Sequence, residues 1–140
     1  MSRIFWDTNL YIYLFEDFGQ FTDQVVVLKE KMAKRGDLLF TSALTIGELL
    51  VKPTELRDLD LCRKYVRGIS ASSRLISFDV AVAQLYAGIR GDHTIRSPDA
   101  IQLACAAAAR VDLFITNDGR LLGKRINGIQ FIVPLDRIPI

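Results

Sequence analysis

Asp7, Glu48, Asp99 and Asp118 are scattered over a 140-residue chain, yet each stands directly after an apolar run or in the opening turns of a segment with helical spacing. If the apolar runs are parallel strands, residues just past their ends collect along one edge of a sheet, where open α/β sheets bind ligands. Two carboxylates about 4 Å apart repel by something like 4 kcal/mol at an effective dielectric of 20, so four acids gathered there would protonate or splay without a counter-charge. With only oxygen donors in the set, the matching counter-charge is a hard divalent cation, Mg²⁺ or Mn²⁺. Such an ion acidifies a water into a nucleophile and neutralises the charge that builds on a phosphodiester under attack. The chemistry implied is hydrolysis of a nucleic-acid backbone.

Each acid also has an ordinary structural use. Asp7, in Trp6-Asp7-Thr8-Asn9, would cap a helix beginning near Leu10, and Asp118, followed by Gly119, belongs to a turn-forming pair. Asp99 would favour the dipole of the helix it opens, an effect of about 0.3 to 1 kcal/mol. Glu48 is the odd member. It lies among Leu44, Ile46, Leu49, Leu50 and Val51 on a short helix ended by Pro53, a pattern that predicts a largely buried helix, and a glutamate is rarely buried without a partner.

The elements that must position these acids follow from hydrophobic spacing. Short apolar runs at residues 4–6, 38–41, 75–78, 113–115 and 129–133 predict five buried strands. Between them the period turns helical, as in Val25-Leu28-Met32, Leu59-Cys62-Val66-Ile69, Val82-Leu85-Tyr86-Ile89 and Ile101-Ala104-Cys105-Ala108. Ser97 suits an N-cap and Pro98 the first helical position, which puts Asp99 in a first turn. The alternation predicts an α/β fold of three layers, a central, mostly parallel five-stranded sheet flanked by helices.

Composition sets the outer bounds. The length suits one domain over residues 1–140, and a net charge of +2 creates no polycation field, so any nucleic-acid partner must be argued locally. Cys62 and Cys105 read as two buried thiols, since neither has the neighbours of a zinc site or a disulfide scaffold. His93, the only histidine, excludes a metal site built from several. No apolar stretch approaches the roughly 20 residues of a membrane span, so a cytoplasmic protein without a membrane partner is expected.

With these residues in view, the chain resembles a PIN-domain ribonuclease, and its size is that of the VapC-type toxins of toxin–antitoxin pairs. The resemblance spans almost the whole length. It rests on Asp7-Thr8-Asn9 after the first run, Ile46-Gly47-Glu48-Leu49, Ser97-Pro98-Asp99-Ala100-Ile101 opening an alanine-rich helix, and Phe114-Ile115-Thr116-Asn117-Asp118 followed by Leu121. Leu121 departs from the aromatic that many relatives carry. The resemblance implies adjacent first and fourth strands, with Asp7 and Asp118 facing each other and helices bringing Glu48 and Asp99 over them.

It further implies Mg²⁺- or Mn²⁺-dependent endonucleolytic cleavage of RNA, with Asp7, Glu48, Asp99 and Asp118 as metal and catalytic residues. On the same view Asn9, Thr116 and Asn117 would steady the carboxylates through hydrogen bonds. Arg120, Lys124 and Arg125 follow Asp118 closely and would hold RNA phosphates. A cognate antitoxin laid over the acidic groove and a homodimer are implied as partners. The alternatives are a general RNA-processing nuclease and a PIN module that binds RNA or a partner without cutting.

Rivals from other classes lack parts. A signalling receiver would want paired acids after the first strand and a lysine after the fifth, where Asp7-Thr8 and Pro134 stand, and its would-be phosphoacceptor Asp79 is placed to cap the next helix. A haloacid-dehalogenase-type phosphatase would need an aspartate where Asn9 stands. The basic cluster Arg63, Lys64 and Arg67 and the polar loop 90–96 are read as solvated.

Overall fold

The computed structural model describes residues 1–140. The chain runs β1 (Arg3–Trp6), α1 (Thr8–Phe15), α2 (Gln20–Arg35), β2 (Leu38–Ser42), α3 (Ala43–Glu55), α4 (Leu59–Ser72) and β3 (Arg74–Ile76). It continues through α5 (Val80–Ile89), α6 (Ser97–Ala108), β4 (Leu113–Ile115) and β5 (Phe131–Val133) to a 3₁₀ turn at Leu135–Arg137. The strands form one sheet in the order β3-β2-β1-β4-β5, and every neighbouring pair is parallel. The sheet is thus wholly parallel, and β1 and β4 sit side by side at its centre.

Because side chains alternate along a strand, each short run feeds two cores. Phe5, Phe40 and Phe114 pack on one face with Val82 of α5 and the alanine-rich flank of α6. Ile4, Trp6, Leu39, Leu113 and Ile115 pack on the other with Leu10 and Tyr11 of α1, Val25 and Leu28 of α2, Leu49 of α3 and Ile69 of α4. Phe5 and Phe114 stack with ring centroids 5.1 Å apart across the β1–β4 pair, both without exposed surface. Full burial of each is worth roughly 1.5–3 kcal/mol, so this pair holds the two site-bearing strands together. In α6 the small side chains from Ala104 to Ala107 let the helix lie close on the sheet.

Several boundaries differ from expectation. The third strand ends at Ile76, because Asp79 caps α5 by accepting from the Val82 N–H at 2.9 Å and leaves Phe78 exposed in the approach. The fifth begins only at Phe131, since the Ile129 N–H closes a turn onto the Ile126 carbonyl. Helix α3 runs through Pro53 to Glu55; the missing proline N–H costs one intrahelical bond, and the ring is buried. Ser97 is the first residue of α6 rather than its cap, and its hydroxyl pairs with the Tyr86 hydroxyl at 2.7 Å. Cys105 is buried as expected, whereas Cys62 is only partly so. No helix is long and apolar enough to cross a membrane.

One turn is set by a close approach. Gly128 has φ +95°, and a Cβ there would lie 2.7 Å from the Ala107 carbonyl oxygen at the end of α6. The neighbour is backbone and cannot step aside. Gly128→Ala should therefore cost roughly 2–3 kcal/mol, read as a lower denaturant midpoint; a midpoint within error of wild type would show that the 120s loop does not dock on α6 in this way.

Candidate functional site

The β1–β4 ladder ends at the pair Trp6 and Ile115, so the next residue on each strand, Asp7 and Thr116, emerges at the same level. The Asp7 N–H extends the ladder by donating to the Ile115 carbonyl at 3.0 Å. Its carboxylate is then held twice: Oδ1 accepts from the Thr8 N–H at 2.9 Å and Oδ2 from the Thr116 hydroxyl at 2.7 Å. The Thr116 Oγ1 in turn accepts the Asp118 N–H at 3.0 Å, so one hydroxyl joins the acid of β1 to the backbone of the acid after β4. Asp7 also occupies the N-cap of α1, which begins at Thr8 rather than near Leu10. Capping and site formation coexist in one residue.

The remaining acids arrive from three directions. Asp118 sits in a tight turn in which its Oδ1 accepts the Arg120 N–H at 3.0 Å and its carbonyl accepts the Leu121 N–H at 3.1 Å. Leu121 is buried in the core that packs against α6. Asp99 stands in the first turn of α6, and Glu48 reaches in from α3. All four acids, with Thr8, Asn9, Ile12, Pro98 and Gln102, line one cleft of about 230 Å³.

Electrostatics in the cleft are those of crowded acids. Asp7, only 8% exposed, is pushed up from the usual carboxylate range to about 6, first by burial and further by the charges of Asp99 and Glu48, against the lowering effect of its two hydrogen bonds. Burial also raises Asp99, with the charge of Asp118 next in importance. Asp118 moves the other way, held down by its hydrogen bonds to Arg120. Arg120 grips both its oxygens, Nε to Oδ1 at 2.9 Å and the terminal nitrogen to Oδ2 at 2.6 Å, while Arg96 stands 3.7 Å from Asp99.

These observations bear on whether a divalent cation suits the site. The donors are all oxygens, the acids repel one another, and the Asn9 Oδ1 in the cleft wall is buried without a hydrogen-bond partner. Donor chemistry and unspent negative charge therefore fit Mg²⁺ or Mn²⁺. As the side chains stand, no three acids gather closely enough to share an ion, and arginines lie against two of them.

Behind the carboxylates lies a polar network that sequence reasoning missed. Gln102, 2% exposed, donates to Thr8 Oγ1 at 3.0 Å and Thr45 Oγ1 at 2.8 Å, and accepts from the Ser42 hydroxyl. The Thr8 hydroxyl donates onward to Glu48 Oε1 at 2.7 Å, and Thr41 ties the cluster to the Trp6 carbonyl at 3.0 Å. A buried amide with every polar atom engaged fixes its neighbours firmly. Gln102 follows Asp99 by one helical turn, and that i, i+3 spacing was the available signal.

Other expectations need correction. Glu48 is exposed, not buried: the inward face of α3 carries Thr45, Leu49 and Pro53, and Glu48 falls one position outside that stripe. Its place comes from Thr8, not from an apolar surround. Asn117 touches no carboxylate; its Oδ1 accepts the Leu135 N–H at 3.2 Å and pins the chain after β5. Lys124 is held by Asp92 at 2.9 Å and Thr94 at 2.6 Å, and with Arg125 it lines a separate cavity beside α5, outside the acidic cleft. The loop 90–96 is not merely solvated, since Ile95 is a core residue and Arg96 faces Asp99.

The PIN domain family matches residues 4–126, and the chain belongs to that family. Among solved structures it is similar to VapBC2 from Rickettsia felis bound to a DNA fragment from its promoter, with a TM-score of 0.74 at 17% identity over 94% of this chain and 98% of that one. It is also similar to DNA-bound VapBC from Salmonella typhimurium, with a TM-score of 0.71 at 19% identity over 96% and 99% of the two chains. A toxin–antitoxin complex from Klebsiella pneumoniae gives 0.62 at 23% identity over 90% and 94%. At these identities the likeness concerns the fold. No curated protein matches the chain.

The buried Asp7 makes stability depend on pH. Its folded value of about 6 exceeds its ordinary value of 3.8, so between those limits the folded state binds more protons than the unfolded one, and this group's contribution falls as pH rises. The loss above pH 6 is about 2–3 kcal/mol. In metal-free buffer, Asp7→Asn should melt above wild type at pH 7, and the difference should vanish near pH 4; a variant less stable than wild type at pH 7 would contradict this burial cost.

Proposed function

We propose that the protein is a Mg²⁺- or Mn²⁺-dependent endoribonuclease acting as the toxin of a toxin–antitoxin pair. The observation that carries the proposal is the convergence of Asp7, Glu48, Asp99 and Asp118 on one cleft at the strand ends of a parallel sheet, in a chain of the PIN family. Asp7, Asp99 and Asp118 hold the ion, and Glu48 is a further ligand or orients the attacking water. The ion supplies charge neutralisation at the phosphodiester and a more acidic water. Thr116 keeps the Asp7 carboxylate in one rotamer, and Gln102 with Thr8 does the same for Glu48. Arg120, beside Asp118, is the basic group best placed to meet an RNA phosphate.

Two features support the toxin assignment. The neighbouring folds are those of VapBC and other toxin–antitoxin complexes, so an antitoxin protein is the proposed partner, with the cytoplasm as the place of action. An apolar groove of about 230 Å³ between α1, α3 and α4 shares Ile12 and Glu48 with the acidic cleft, which gives such a partner a seat beside the carboxylates. We also propose a homodimer, for which exposed Phe78, Val80 and Leu85 offer apolar surface.

Cleavage of single-stranded RNA should require Mg²⁺ or Mn²⁺ and stop with chelator. Asp7→Asn and Asp99→Asn should abolish it, and Thr116→Val, which removes the hydroxyl that joins the Asp7 carboxylate to the Asp118 N–H, should lower activity by roughly 10–100-fold. Undiminished cleavage by the aspartate variants, or in chelator, would overturn the assignment.

A further inference from the structure

Four carboxylates face the cleft and two guanidiniums lie against them, leaving two negative charges, the complement of one divalent ion. The two arginines are not held alike. Arg96 makes a single approach of 3.7 Å to Asp99, whereas Arg120 closes a two-point fork on Asp118 at 2.9 and 2.6 Å, taking both oxygens the ion would need. Arg120 therefore occupies the Asp118 carboxylate as a cation would.

The backbone that carries Arg120 is fixed while its side chain is free to leave. The turn is closed by the Leu121 N–H on the Asp118 carbonyl, and Leu121 is anchored in the core at 1% exposure. The Arg120 side chain is 54% exposed and has no hydrogen-bond partner other than Asp118. Breaking such an exposed pair costs at most about fivefold in an equilibrium constant. Lys124 differs, locked by Asp92 and Thr94 away from the cleft.

We propose that Arg120 exchanges between two partners: in the metal-free protein it neutralises Asp118 as a resident counter-ion, and on entry of the divalent ion it is released to hold a substrate phosphate beside the cleft. The inference rests on the nuclease function proposed above and adds a coupling, in which loading the ion frees the group that engages RNA. A guanidinium suits both stations, since its planar fork matches carboxylate and phosphate oxygens alike. Arg120 thus has opposite effects on the two ligands, competing with the ion and binding the phosphate.

The test is Mn²⁺ binding to the metal-free protein, followed by the electron paramagnetic resonance of free Mn²⁺, so that no cleavage is needed. Arg120→Gln should bind Mn²⁺ roughly two- to fivefold more tightly than wild type. Arg120→Lys keeps the charge but loses the fork, and should fall between them. Arg125→Gln, which removes a nearby charge outside the cleft, should stay within about twofold. Unchanged or weaker binding by Arg120→Gln would overturn the exchange, and so would Arg120→Lys behaving as wild type, which would leave only a long-range field. Absence of Mn²⁺ binding by wild type would instead overturn the metal assignment of the cleft itself. At saturating Mn²⁺, Arg120→Gln should lose RNA cleavage efficiency, with the salt dependence of kcat/KM shallower by about one charge; an unchanged salt slope would overturn the phosphate half of the proposal. Thermal melting of each variant before metal is added establishes that it is folded.

Discussion

The parallel pairing of β1 with β4 is the constraint on which the rest of the cleft depends. Because the two strands end in register, Asp7 and Thr116 leave the sheet together, and a 2.7 Å hydrogen bond between them becomes possible. Asp7 cannot move away from the negative charge around it. It continues the ladder through its N–H, caps α1 through one oxygen and is held by Thr116 through the other. The other three acids adapt to it, Asp118 by taking Arg120, Asp99 by facing Arg96 and Glu48 by accepting from Thr8.

The cleft is therefore built at a cost to the fold. A buried carboxylate raised to about 6 is carried in the centre of the sheet edge, and what offsets it is the hydrophobic packing on both faces, Phe5 on Phe114 above all. The threonine and glutamine network behind the site adds rigidity without adding charge, since Gln102 has partners on both its amide oxygen and nitrogen. A cation would relieve electrostatic strain of this kind, so the feature that weakens the fold is also one that suits a positively charged ligand.

The architecture was legible because the central strands β1, β2 and β4 are buried on both faces and read as uninterrupted apolar runs, whereas the edge strands β3 and β5, also expected to be buried, are exposed or only half-buried. The ends of β3 and β5 were not legible, since Phe78 and Ile129 are as apolar as strand residues but sit in an approach to a cap and in a turn. The apolar neighbours of Glu48 in sequence predict a buried helix, whereas only one stripe of α3 faces inward and the glutamate lies beside it. Gln102 and Arg96 carry no strong type signal, a polar residue in an alanine-rich helix and a basic one in a loop, and their roles exist only once α6 is laid across the sheet. Asn117 and Lys124 show the converse, residues close in sequence to an acid whose side chains turn to other elements.

If the four acids form one divalent-cation site at the end of the β1–β4 pair, anomalous diffraction at the manganese edge from crystals grown with Mn²⁺ should show a peak in direct contact with Asp7 and with Asp99 or Asp118. The Arg120 side chain should then be turned off the Asp118 carboxylate. A cleft without a peak in a protein that still cleaves RNA, or a peak held by residues outside these four acids, would contradict that assignment.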